Sequence, residues 1–443
     1  MNTRFKSLHI FHATDLSNGV DRTTLTLITA LRRLNHQPHA LVPKAGPVSE
    51  ALEAAGIPYR TAFLGCCTGP TKPAELAYLS RAADRAGIIG EWLDTEGFDF
   101  VHLNTGHLID GAIAATISGT PAIWHIHSPF EIDLSRYARF FKAETYAWML
   151  ETLGDHVIAV SDDVRASLTE RLPGEFVSAL YNGIDIEHLD ANSQPVGPGI
   201  RHELGLKEET ALVLGVGRIS EQKDFATFVR VAKRVTNENA DVCFAIVGPS
   251  EDRGLAKALE DQLEKLGLRQ RVFLLGSRND VPALLAQCNA FLSTAIYEGQ
   301  GLAALEAMAL RRPVIAMDCV GLRECVDNGH DGLLVPLGNE DEAAQAVLRV
   351  LRERDWAHGL GIQGRQSVME RFSAQAYAQG FLDIAAQVAR RTPPDNKRAS
   401  ADFALGLLSN IREANERAKH LAARPGYRDR LKSKLAQWGI GKQ

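Results

Sequence analysis

At 443 residues the chain is too long for one ordinary hydrophobic core, so two domains with an appendage are expected. The composition is globular, the formal net charge is -5, and no apolar run is long enough to span a bilayer; a membrane-spanning bundle is excluded and nothing global argues for nucleic acid. The start, Met1-Asn2-Thr3-Arg4-Phe5-Lys6, lacks the apolar core of a signal peptide, and the six cysteines (Cys66, Cys67, Cys243, Cys288, Cys319, Cys325) form no Cys-x-x-Cys pair, so a cytosolic protein with reduced, buried thiols and no zinc site is expected.

From Ser7 onward, short apolar runs alternate with longer helical patterns, as in parallel βαβ units. The expected strands of the first half are Leu8–His12, His39–Val42, Arg60–Leu64, Phe100–Asn104, Ala122–His127, Val157–Val160 and Val177–Tyr181, with helices such as Arg22–Leu34, Ala74–Asp94 and Tyr137–Leu153 between them. A stretch rich in Pro, Gly and small polar residues, Leu189–Gly199, has the composition of a linker. A second series follows at Ala211–Val216, Val242–Val247, Val272–Leu275, Ala290–Leu292, Val314–Ala316 and Leu333–Val335. The expected class is therefore α/β, with two Rossmann-like doubly wound domains facing across a cleft at the carboxyl ends of their strands. The boundaries read as 1–190, a linker at 191–205, a second domain at 206–373, a closing helix at 374–391 and an extension at 392–443.

The stretch Tyr297–Ala309 reads as a strand-to-helix turn and the helix that follows it. Gly299 and Gly301 would let a ligand approach the backbone, and the first free N–H groups of the helix, around Leu302, suit a phosphate. Glu298 and Glu306 bracket that anion site, Glu306 leaning back from one turn further on. Earlier, Gly217-Arg218 and Lys223 follow the first strand of the second series, where Arg can bind phosphate oxygens bidentately and Lys supplies a compact charge. A dinucleotide-binding dehydrogenase would need Gly-x-Gly-x-x-Gly after its first strand; Ala13-Thr14-Asp15-Leu16-Ser17-Asn18-Gly19 is not one, and Gly215-Val216-Gly217 lacks the third glycine.

Taken together, Gly217-Arg218 with Lys223, Glu298-Gly299-Gln300-Gly301-Leu302 with Glu306-Ala307-Met308-Ala309, Asp155–Ser161, Tyr181–Asp185 and Asn328–Pro336 resemble the retaining, GT-B-fold glycosyltransferases of family 4, over about residues 7 to 390. The resemblance implies transfer of a sugar from a nucleotide-sugar to a hydroxyl of a glycan or lipid-linked acceptor, with an acceptor domain first and a donor domain second. It assigns Arg218 and Lys223 to the leaving diphosphate, with the amides around Gly301 and Leu302; Glu306 to the ribose; Glu298 to the transferred sugar; and His127 to the sugar from the first domain. Gly217, Gly299 and Gln300 complete the donor set, Gly19 and His107 are acceptor-site candidates, and His125 is expected on the opposite face of its strand in a structural role. The implied mechanism needs no buried nucleophile and no cofactor, and no Asp-x-Asp offers a metal site. Gln300 departs from the family pattern, where a bulky aromatic is common, and so does the loop Asn18–Arg22. A sugar-nucleotide epimerase and a non-catalytic nucleotide-sugar-binding scaffold are the alternatives.

Residues 392–443 carry eleven Lys and Arg against five Asp and Glu. Within them Tyr427, Leu431, Leu435 and Trp438 recur at helical spacing among Arg428, Arg430, Lys432 and Lys434. A basic amphipathic helix at 426–440 is expected, suited either to an anionic membrane surface, at the inner face, or to a protein partner.

Overall fold

The computed structural model describes residues 4–64, 81–137, 141–250 and 252–390, with Gly406 beyond them. Its strands form two parallel sheets. The first holds β1 (Lys6–Ile10), β2 (Gln37–Val42), β3 (Tyr59–Thr61), β4 (Phe100–Leu103), β5 (Ala122–Ile126), β6 (His156–Ala159) and β7 (Val177–Ala179), in the order β3-β2-β1-β4-β5-β6-β7. The second holds β8 (Ala211–Val216), β9 (Val242–Val247), β10 (Val272–Leu274), β11 (Ala290–Ser293), β12 (Val314–Asp318) and β13 (Leu333–Pro336), in the order β10-β9-β8-β11-β12-β13.

Strands such as Val242–Val247 are buried at every residue, because helices cover both faces of each sheet; the continuous apolar runs are the sequence trace of that. The strand order reverses between β1 and β4 in one sheet and between β8 and β11 in the other. Loops diverge at such switch points and leave a crevice, so each domain presents its own crevice at the ends of these strands. Side-chain caps fix where the helices begin: Asn18 accepts from the Asp21 amide, Ser161 from Val164, Asp224 from Thr227 and Ser373 from Ala376.

The chain crosses between domains earlier than the Pro/Gly composition predicts. Ile184, Leu189 and Ile200 all sit in the core of the second domain, so much of 191–205 belongs to that domain. The crossing is made near Ile184, whose amide donates to the Phe372 carbonyl (2.7 Å) while its own carbonyl accepts from Ala374 (3.1 Å). Outgoing and returning segments thus run side by side. Of the predicted helix Tyr137–Leu153, the described part is Ala143–Leu153, and Tyr137 closes a separate helix, Phe130–Tyr137. Of the predicted Ala74–Asp94, residues 81–94 are described and the helix runs Ala82–Glu96; 74–80, Cys66, Cys67 and the predicted tail helix at 426–440 lie outside the described residues. The other four cysteines are free and buried.

After returning, the helix Ala374–Val388 lies on the first domain. Tyr377, Ala378, Phe381, Leu382, Ala385 and Val388, at helical spacing, share one core with Phe5, Leu27, Leu31, Phe100, Ile123 and Ile158. Phe381→Ala is expected to lower the unfolding free energy by about 3–5 kcal/mol through the cavity it leaves. A loss under about 1 kcal/mol in denaturant titration would show that the helix is not integral to the first core.

Candidate functional site

A cleft of about 750 Å³ lies between the domains. The second domain lines it with Gly217, Arg218, Gln222, Lys223, Gly248, Arg278 and the turn Tyr297–Gln300; the first domain contributes His12, Gly19, Arg22, Thr105, His107, His127, Ser128 and Asp133.

Gly217 ends β8 with a φ of +155°, and a Cβ there would stand 2.7 Å from the Lys223 Cε; a Cβ on Gly248, at the end of β9, would stand 2.0 Å from the Gly217 carbonyl oxygen. Glycine at both places lets the two strand ends touch and lays Lys223 across them. Lys223 belongs to a short 3-10 turn, and Asp224 follows it with a φ of +43°, capping the next helix. The Thr294 hydroxyl clamps that turn from the end of β11, 3.1 Å from the Lys223 carbonyl oxygen and 2.9 Å from that of Asp224.

Arg218 and Lys223 both line the cleft, and the Lys223 ammonium donates to Glu298, which is almost fully buried. Gln222 adds donors to the Tyr297 carbonyl (3.1 Å) and to Glu298 (3.3 Å). Backbone contacts also fix Glu298 and Gly299 on either side. The Glu298 amide donates to the Val320 carbonyl (2.9 Å), and a Cβ on Gly299 would lie 1.9 Å from the His127 carbonyl oxygen.

Other residues of the turn do different work from that expected. The Gln300 side chain accepts from the Asn182 amide (2.6 Å) and donates to the Asn182 carbonyl (3.2 Å), so its amide group ties the turn to the interdomain crossing. Gly301 does not line the cleft; a Cβ there would strike Leu322 at 2.3 Å. The Leu302 amide donates to the Gln300 carbonyl (2.7 Å), and its side chain presses on the first domain, 2.8 Å from where a Cβ of Gly19 would be. Glu306 is also absent from the lining: its carboxylate faces Arg22 of the opposite domain at 3.1 Å. Arg22 escaped the sequence reading because its partner lies on the other domain.

The first-domain wall is built on imidazoles. His12 and His107 follow β1 and β4, the strands flanking the reversal, and His127 follows the next strand, β5. Behind them Asp21 accepts from Asn18 (2.8 Å) and Asn104 (3.0 Å) and stands 3.1 Å from the His12 Nδ1. Burial raises its pKa, but His12, Asn18 and Asn104 outweigh that and hold it below the usual carboxylate value. Burial, with help from the neighbouring His12, pushes His107 and His127 down to about 3, so both rings are neutral at pH 7. The buried His127 Nε2 finds no hydrogen-bond partner among the described residues.

His125 does not face away from His127. Residues two apart on a strand share a face, and the two rings stack with centroids 4.3 Å apart. His125 in turn ends a buried row across the sheet: Ser7 Oγ to His9 (2.9 Å), His9 to His102 (3.0 Å), His102 to His125 (3.3 Å).

Asp133, absent from the sequence reading, lines the same wall. It accepts from the Tyr146 hydroxyl and from the Ser128 hydroxyl (3.1 Å), and burial, against both bonds, raises its pKa to about 6. A lone Asp four residues into a helix carries no signal that could have found it.

Two sequence families match the chain. The model described as "Glycosyltransferase Family 4" matches residues 17–188, and that described as "Glycosyl transferases group 1" matches residues 198–367. The chain is 26% identical to the Escherichia coli UDP-Gal:alpha-D-GlcNAc-diphosphoundecaprenol alpha-1,3-galactosyltransferase, over 80% of this chain and 89% of that one. It is 29% identical to the alpha-maltose-1-phosphate synthase of Mycolicibacterium smegmatis, over 66% of this chain and 79% of that one. Among solved structures, Anabaena HepE in complex with UDP and glucose superposes with a TM-score of 0.69 at 21% identity, covering 86% of this chain and all of that one. The sucrose-phosphate synthase of Thermosynechococcus elongatus gives 0.70 at 21% identity, covering 86% and 99%.

The buried imidazoles set an acid limit on the fold. His9, His102, His107, His125 and His127 all bind protons more weakly folded than at their ordinary value of 6.5. The unfolded chain therefore gains protons first: stability is greatest above pH 6.5 and is lost as pH falls below it. Thermal unfolding between pH 7.5 and 5 should show a steep fall in Tm, and a flat profile would contradict the neutral rings.

Proposed function

Because the chain belongs to the GT-B glycosyltransferases of family 4, enzymes that transfer glycosyl groups, we propose that it moves a sugar from a nucleotide diphosphate-sugar to a hydroxyl of a glycan or lipid-linked acceptor, with retention at the anomeric carbon and without a metal ion. The observation that carries this reading is the Lys223 ammonium held on the almost fully buried Glu298 at the switch point of the second sheet, in a cleft that Arg218 also lines and whose opposite wall holds the neutral His127, its Nε2 without a hydrogen-bond partner among the described residues.

In this reading the leaving diphosphate takes over Lys223 from Glu298 and engages Arg218, and the freed Glu298 accepts from hydroxyls of the transferred sugar. A neutral His127, one ring N–H of which donates to the Asn104 backbone, leaves its Nε2 to accept from a hydroxyl of that sugar without adding charge beside an already cationic site. Glu306 serves the ribose, and a donor reaches it by replacing the Arg22 pair. Catalysis rests on position and on stabilising the diphosphate charge, and the leaving phosphate takes the acceptor's proton on the same face. The names of the E. coli and Anabaena relatives support a uridine nucleotide and a polysaccharide or glycolipid setting. The basic stretch 426–440, outside the described residues, has a composition suited to bringing the enzyme to an anionic membrane surface.

A panel of UDP, GDP and ADP with their sugar conjugates should yield one nucleotide that raises Tm, by the equivalent of about 2.7 kcal/mol at a hundredfold excess over Kd. With the best donor, Lys223→Ala should cost about 10²–10³ in turnover, and activity should survive EDTA. Near-normal turnover of that variant, or activity lost to EDTA and restored by magnesium, would overturn the assignment. Removing residues 392–443 should abolish cosedimentation with anionic vesicles; unchanged sedimentation would end the membrane role.

A further inference from the structure

Four separate segments converge on Asp133. It lies in the helix Phe130–Tyr137; Ser128 comes from the loop after β5, Tyr146 from the helix Ala143–Leu153, and Gly106 from the loop after β4. A Cβ on Gly106 would stand 1.9 Å from the Tyr146 hydroxyl and 2.7 Å from the Asp133 Oδ2, so the bond between those two groups depends on glycine there. A buried carboxylate offers about four acceptor positions, of which Tyr146 and Ser128 fill two. Leaving the remainder dry costs free energy that a ligand's O–H groups can offset. Asp133 opens on the cleft and follows Ser128 and His127, whose carbonyl touches the donor-domain turn at Gly299.

Resting on the glycosyl-transfer reading, we propose that Asp133, oriented by Tyr146 and Ser128, is a specificity-determining residue: it accepts hydrogen bonds from hydroxyls of the acceptor and makes the enzyme prefer a neutral polyol or sugar to an anionic one. The charge pattern supports this division of the cleft. Arg218, Lys223 and Arg278 line the second-domain side, whereas among the described lining residues of the first domain the Arg or Lys is Arg22, which faces Glu306. An anionic donor is drawn to one wall. A phosphate or carboxylate on the acceptor would meet Asp133 on the other, where like charges repel in a medium of low dielectric.

The test compares the full chain with Asp133→Asn and Tyr146→Phe, using the best donor at pH 8. Three readouts are taken: donor hydrolysis without acceptor, transfer to glycerol and to methyl α-glucoside, and transfer to glycerol 3-phosphate. Wild type should use the neutral pair better than glycerol 3-phosphate. Asp133→Asn should raise the half-saturating concentration of the neutral pair about tenfold and narrow the gap to glycerol 3-phosphate, with hydrolysis changed less than twofold. Tyr146→Phe, which loosens the carboxylate but keeps its charge, should raise that concentration less and leave the preference for neutral acceptors intact. Unchanged acceptor kinetics in Asp133→Asn would overturn the proposal. So would a parallel fall of hydrolysis and transfer with a lowered Tm, which marks a structural aspartate, or intact hydrolysis with no transfer from wild type to either neutral acceptor. If wild type consumes no donor at all, the glycosyl-transfer reading falls first and this one with it.

Discussion

The carbonyl oxygen of His127 sits so close to Gly299 that a first side-chain carbon there would approach to 1.9 Å, well inside contact distance. This backbone-to-backbone meeting ties the end of β5 in one domain to the Glu298–Gln300 turn in the other. Its neighbours depend on it. Gln300 reaches the Asn182 backbone, Leu302 presses toward Gly19, and Glu324 accepts from the amides of Asp162 and Asp163 (both 2.7 Å) and from the Tyr181 hydroxyl (2.7 Å). Directional bonds to buried backbone at this seam specify one relative placement of the domains, since each group left unmet would cost its desolvation.

Within that frame the charges of the cleft satisfy one another. Lys223 pairs with Glu298 and Arg22 with Glu306, one pair inside the second domain and one across the gap. Both carboxylates are largely buried, where an unpaired charge is costly. An anionic ligand with hydroxyl groups can exchange both pairs at once, taking the cations on its phosphates and the carboxylates on its hydroxyls. The pairs therefore keep the site stable when empty without closing it to such a ligand.

The first domain solves the opposite problem. Its wall presents polar groups without added charge, since burial keeps the imidazoles neutral. The row His9–His102–His125 behind them runs from Ser7 and ends 3.5 Å from the Tyr377 hydroxyl, so the closing helix also bears on the back of the first-domain wall. Packing of that helix and the stance of His127 are thereby linked through buried rings.

Much was legible without coordinates. Continuous apolar runs of four to six residues mark covered parallel strands, and Gly217-Arg218, Lys223 and Glu298 could be placed at the cleft because each follows a strand at a position where only a turn can lie. Local chemistry determines such features, and sequence records local chemistry. Tertiary structure alone decided the rest. The Pro/Gly stretch at 191–205 looks like a linker, yet Ile184 and Leu189 already lie in the second core, since burial depends on what covers a residue and not on its neighbours in the chain. The partners that Gln300 and Glu306 hold in the structure, Asn182 and Arg22, come from segments 118 and 284 positions away. Asp133 carries no motif; its role arises where four separate segments meet around one glycine. Pairings across a cleft are fixed only when two independently folded sheets are set face to face, and nothing in the local sequence encodes that meeting.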